Sequence, residues 1–86
     1  MSVIYKHSLQ AFSFDYGIVD VPYGDVLTVG IQNGILYAWI QQEINEVSRM
    51  RLLILPTGQE FDDRESGNYI GSAISDYYVW HVFKQY

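Results

Sequence analysis

Tyr77-Tyr78-Val79-Trp80-His81-Val82-Phe83 decides the fold. The run has no charge, no glycine and no proline, and it is nearly all aromatic or β-branched, a composition that suits a pleated surface. Alternation sends Tyr78, Trp80 and Val82 one way and Tyr77, Val79, His81 and Phe83 the other. Both sets are mostly apolar, so the run is predicted as a central strand covered on two sides.

Just upstream, Tyr69-Ile70-Gly71-Ser72-Ala73-Ile74 reads as a second strand, with Ser75-Asp76 as the turn between them. A two-residue turn there puts Gly71 opposite Trp80 and Ile70 opposite His81. The sharpest local signal lies further back, where Val26-Leu27-Thr28-Val29-Gly30-Ile31-Gln32 is joined by Asn33-Gly34 to Ile35-Leu36-Tyr37-Ala38-Trp39-Ile40-Gln41. Asn-Gly between strand-like runs marks a hairpin, because both residues tolerate positive φ. A two-residue loop pairs Gln32 with Ile35, Gly30 with Tyr37, Thr28 with Trp39 and Leu27 with Ile40. One face then holds Leu27, Val29, Ile31, Leu36, Ala38 and Ile40, all apolar, and is the expected core face. The other holds Thr28, Gly30, Gln32, Ile35, Tyr37 and Trp39, with Tyr37 expected to lie across Gly30.

The remaining chain is read the same way. Val3 to Leu9 alternates as an edge strand, with Val3, Tyr5 and His7 on one side. Phe12, Phe14 and Tyr16 alternate toward Gly17. Ile18, Val19 and Val21 lead into the turn Pro22-Tyr23-Gly24-Asp25. Residues 42–49 carry helical spacing at Ile40, Ile44, Val47 and Met50 but are read as a polar loop between strands. Met50-Arg51-Leu52-Leu53-Ile54-Leu55 is a strand stopped by Pro56-Thr57-Gly58-Gln59. Glu60 to Gly67 is acidic, lacks the spacing and glycine of a calcium loop, and is read as solvated. The sum is one all-β domain over 1–86, a small antiparallel sandwich or open barrel of six or seven short strands.

Composition narrows the function. The 86 residues are 49% hydrophobic and 16% aromatic, too apolar for disorder. The absence of cysteine excludes disulfides and thiolate metal sites and suits a reducing compartment or a virus particle. Lys6, His7, Ser8 and Gln10 interrupt the apolar positions near the start, so no signal peptide is expected, and no run approaches a membrane span. Five Lys/Arg against ten Asp/Glu give a net charge of −5. A nucleic-acid backbone calls for a basic stripe, which is missing. Mimicry of DNA phosphates has few charges to support it, and plain solubility is the simpler reading.

Leu27-x-Val29-Gly30-x-Gln32-x-Gly34-x-Leu36-x-x-Trp39, then Thr57-Gly58, Tyr69-Ile70-Gly71 and Val79-Trp80-His81-Val82-Phe83, preceded by Tyr5-Lys6 and Val21-Pro22-x-Gly24, resembles a family of small, functionally uncharacterised proteins of tailed bacteriophages and prophages. The resemblance spans nearly the whole chain, and its specific parts are the Asn-Gly hairpin and the Trp-His strand. That pattern has glycine before Thr-Gly and histidine after it, where this chain has Pro56 and Gln59, and it ends Phe-Glu where Lys84 follows Phe83. The resemblance implies phage origin and action in the host cytoplasm, and it brings no catalytic residue.

The chain shows no G-x-S-x-G, phosphate loop or H-x-x-x-H. Its two histidines are far apart in sequence, so no metal, cofactor or enzyme activity is expected. His81 has two readings, a packed imidazole with a backbone or hydroxyl partner, or a ring bonding a ligand beside Trp80 or Tyr69. Binding is better supported than catalysis, because tryptophan and tyrosine are enriched at interface hot spots. The Gln32, Tyr37 and Trp39 face suits a host protein, such as a factor of antiviral defence, or a second copy in a homo-oligomer. Alternatively, aromatic rings such as Trp39 and Trp80, with Gln32, Arg51, Thr57-Gly58 and His81, enclose a nucleotide-type small ligand. A minor virion or assembly protein is the third reading.

Overall fold

A computed structural model describes residues 1–9 and 17–86. The strand expected through Phe12, Phe14 and Tyr16 lies outside the described residues. β1 (Ser2–Ser8), β3 (Asp25–Gln32) and β4 (Ile35–Glu43) form an antiparallel sheet in the order β1-β4-β3. β2 (Gly17–Pro22), β5 (Arg49–Pro56), β6 (Asn68–Ile74) and β7 (Val79–Lys84) form a second, in the order β2-β5-β7-β6. The sheets do not close into a barrel, so the sandwich is the architecture formed. β1 is an edge strand and β7 a central one, as their patterns indicate.

One core lies between the sheets. β4 contributes Leu36, Ala38 and Ile40, β5 contributes Met50, Leu52 and Ile54, and β7 contributes Trp80 and Val82. Ile40, Leu52, Ile54 and Val82 are completely buried, and each such side chain is worth about 1.5–3 kcal/mol of transfer from water. β7 is covered less evenly than its composition suggests. Trp80 and Val82 are buried, while Val79, His81 and Phe83 on the opposite face stay half-exposed.

The Asn33-Gly34 hairpin forms with φ of +51° and +76° at those residues. Its register is as expected from Gln32↔Ile35 to Thr28↔Trp39, then breaks at a bulge between Val26 and Thr28. Val26, not Leu27, faces Ile40, and Leu27 leaves the core face for solvent at 51% exposure. The start of β3 is anchored independently of the turn at its other end. Tyr23 N–H donates to Ser48 O at 2.9 Å, and a Cβ on Gly24 would run into the Gln41 carbonyl and the Ile40 side chain. One extra residue reconciles the two anchors. The aromatic over Gly30 is also not the one expected, since Trp39 lies across it diagonally.

The β6–β7 hairpin differs more. Ser75 and Tyr78 close its loop, with Ser75 N–H donating to Tyr78 O at 2.8 Å and Tyr78 N–H to Ser75 Oγ at 3.1 Å. Tyr77 and Tyr78 therefore belong to the turn, and Ile74 faces Val79. Trp80 faces Ala73, His81 faces Ser72 and Val82 faces Gly71, so neither the Gly71–Trp80 nor the Ile70–His81 pairing occurs. A bulge between Tyr69 and Gly71 takes up Ile70. The turn-end slip is two residues, an even number, so the faces of β7 are unchanged.

Residues 44–48 form the expected loop after a β4 that runs on through Gln42 and Glu43. Ile44 and Val47 are exposed there. Within the acidic stretch a single helical turn, α1 (Asp63–Ser66), is capped by Asp62, whose carboxylate accepts Arg64 N–H at 2.9 Å.

Candidate functional site

The candidate residues fall in separate places. Gln32, Tyr37 and Trp39 share the outer face of the three-stranded sheet. β4 alternates strictly, so filling the core with Leu36, Ala38 and Ile40 turns Tyr37 and Trp39 outward. Their ring centroids are 6.2 Å apart. Lys6 on β1 reaches over β4, with Nζ 4.6 Å from the Tyr37 ring centroid, and donates to Gln32 Oε1 at 3.0 Å. Three strands are thereby tied on a face with two half-buried aromatics, the exposed Ile4 and one cation.

Thr57, Gly58 and His81 come together on the outer face of the four-stranded sheet. Gly58 takes φ of +94° in a turn closed by Gln59 N–H donating to Pro56 O at 3.2 Å, a geometry that suits glycine. The turn sets Thr57 Oγ1 2.7 Å from His81 Nε2. On the other side of the ring, Ser72 Oγ is 2.7 Å from Nδ1, and Tyr69 OH is 2.6 Å from Ser72 Oγ. A continuous run of donors, Tyr69 to Ser72 to Nδ1 and then Nε2–H to Thr57, ends on the Val79 carbonyl at 3.4 Å. With Thr57 Oγ1 donating to that carbonyl, its short contact with the ring is met by Nε2–H, the tautomer this order favours. Both ring nitrogens are thus engaged by hydroxyls, and His81 pins the Thr57-Gly58 turn to β6 and β7.

Beside this chain lies a hollow of about 230 Å³ between the turn, Phe61 and Phe83. It falls below the range of about 300–1,000 Å³ usual for small-molecule sites.

The remaining two candidates stand apart from both. Trp80 is 8% exposed and packs into the core, so it is not on a binding surface. Arg51 sits outward on β5, its Nε 3.8 Å from Asp20 Oδ1. The aromatic enclosure expected from Trp39, Trp80 and Arg51 together is therefore not built. The sequence reading missed Lys6 and Ser72. Ser72 needed the correct β6–β7 register, and Lys6 needed the β1–β4 pairing, which no local turn reveals. Among the described residues no group of three or more His, Asp or Glu side chains is placed to hold a metal ion, and no helix is long and apolar enough to cross a membrane.

Fold and surface define a small two-sheet antiparallel domain that displays polar and aromatic side chains on both outer faces. The family described as a domain of unknown function, DUF7352, matches residues 1–86, and the chain belongs to it. No curated protein and no solved structure matches the chain.

Proposed function

We propose that this chain is a non-enzymatic binding protein whose partner is another protein, engaged by the outer face of the β1-β4-β3 sheet. The observation that carries this reading is the outward placement of Tyr37 and Trp39, which the core does not need. Lys6 and Gln32 support it, because they brace the two rings into a preformed surface. A braced surface loses less side-chain freedom on association. The resemblance of the sequence pattern to tailed-phage and prophage proteins supports a role in the bacterial cytoplasm, where the partner is a host protein and inhibition of an antiviral defence factor is the leading assignment. Homo-oligomerisation through the same face and a place in the virion are the competing readings.

The test is retention of a host polypeptide by the tagged protein during infection. Alanine at Trp39 or Tyr37 is expected to weaken it about 30-fold, the effect of a hot-spot loss of about 2 kcal/mol. Ile74→Ala, on the other sheet, is expected to leave it unchanged. Equal retention by all three variants overturns the proposal. A bare homo-oligomer that Trp39→Ala dissociates moves the face to self-association, and recovery of the chain in purified particles moves it to the virion.

A further inference from the structure

We infer that a cleft at one end of the four-stranded sheet is a binding site for a phosphate-bearing small molecule with an aromatic ring, of nucleotide size. The chain has five Lys/Arg and ten Asp/Glu. Three of those five cations, Arg49, Arg51 and Lys84, line one cleft of about 500 Å³, and no Asp or Glu side chain lines it. The volume lies within the range of about 300–1,000 Å³ typical of small-molecule sites. Tyr23, Asn68 and Tyr86 complete the polar and aromatic wall.

The convergence is topological. β5 begins at Arg49 and pairs antiparallel with the end of β7, Leu52 opposite Lys84. Gln85 N–H then donates to Arg51 O at 3.0 Å, which draws the end of the chain along β5. Asn68 opposite Lys84 brings the start of β6 to the same place. The Tyr23–Ser48 hydrogen bond adds the β2–β3 turn.

The cations are also placed for use. Arg49 Nη2 donates to the Asp20 carbonyl at 3.1 Å, which orients the guanidinium. The Arg51–Asp20 contact is 3.8 Å between side chains 69% and 65% exposed, a loose pair that exchanges readily. Lys84 Nζ sits 4.5 Å from the Tyr23 ring centroid. Two guanidinium forks and one ammonium suit the oxygens of a phosphate ester, which guanidinium binds bidentately. A chain of net charge −5 repels anions elsewhere, so such binding depends on this local cluster. Tyr23 and Tyr86 offer ring faces on which a base stacks.

The probes are ADP, inorganic pyrophosphate and adenosine, titrated into the full chain and followed by NMR and calorimetry. ADP is expected to shift the Arg49, Arg51 and Lys84 resonances, and its affinity is expected to fall as salt rises. Pyrophosphate is expected to shift the same residues more weakly, and adenosine to leave them unmoved. The double variant Arg49→Gln, Arg51→Gln, with unchanged circular dichroism, is expected to lose about tenfold or more in ADP affinity. Arg51→Gln alone, at an exposed side chain, serves if the double variant does not fold. Absence of shifts with both anions at millimolar concentration, or undiminished ADP binding in the variant, overturns the site. Pyrophosphate binding as tightly as ADP overturns the stacking half of the inference.

Discussion

His81 Nε2 lies 2.7 Å from Thr57 Oγ1, and this contact joins the turn after β5 to the middle of β7. The Ser72 contact at Nδ1 extends the tie to β6. ¹⁵N NMR of the imidazole is expected to show the neutral ring protonated at Nε2. Ser72→Ala is expected to cost about 1 kcal/mol of stability, the usual net worth of such a hydrogen bond, and to shift the tautomer balance toward Nδ1–H. An Nδ1–H ring in the unsubstituted protein would reverse the donor order assigned above.

The bulge at Leu27 separates two leucines that composition alone treats alike. Leu52 is fully buried and Leu27 is 51% exposed. Leu52→Ala is expected to lose about 2–5 kcal/mol in urea unfolding, through lost transfer and a residual cavity. Leu27→Ala is expected to lose no more than about 0.5 kcal/mol. A large loss at Leu27 would mean that the uninterrupted hairpin register holds in solution.

Two positive-φ glycines make a similar contrast. Gly67 has φ +83° and ψ −145°, a region open essentially to glycine alone, and a Cβ there would collide with the Lys84 backbone. Gly58 has φ +94° but open space around it. Gly67→Ala is expected to prevent folding or cost more than about 3 kcal/mol, and Gly58→Ala about 1 kcal/mol. Thermal melts of the two variants check the order.

Asp62 gives a pH dependence with a definite sign. The Arg64 side chain, and then its backbone N–H, hold the Asp62 carboxyl below its ordinary value. The cap is therefore complete above the ordinary carboxylate value and is lost as pH falls through the lowered one. The pair lies at the surface, within one helical turn, so the effect is local. Protection factors in residues 64–66, taken relative to the intrinsic exchange rate at each pH, are expected to fall on acidification, while those in β5 and β7 hold over the same interval. A parallel fall in all three would contradict a local cap.

Alternation and turn chemistry made most of the fold legible. Asn33-Gly34 set the pairing from Gln32↔Ile35 to Thr28↔Trp39, and the apolar run of β7 identified it as an interior strand. What escaped depended on long-range anchors. Leu27 was misplaced because the Tyr23–Ser48 bond and the packed Gly24 lie outside the hairpin's local logic. Ser72 was missed because Ser75 and Tyr78, rather than Ser75 and Asp76, define the second turn. Trp80 reads as a binding candidate in the sequence because an aromatic in a strand shows no sign of which face the core will claim. The cationic cleft was invisible, since Tyr23, Arg49, Arg51 and Lys84 meet only where β5 overruns the end of β7.

The outward pair Tyr37–Trp39 is the centre of this account. Its most direct measurement is photo-crosslinking in infected cells from benzoylphenylalanine placed at position 39, compared with the same group at the exposed position 74 on the other sheet. One host polypeptide captured in high yield from position 39 and not from position 74 is the expected result. Equal capture from both positions, or none from position 39, would contradict a partner-binding role for this face.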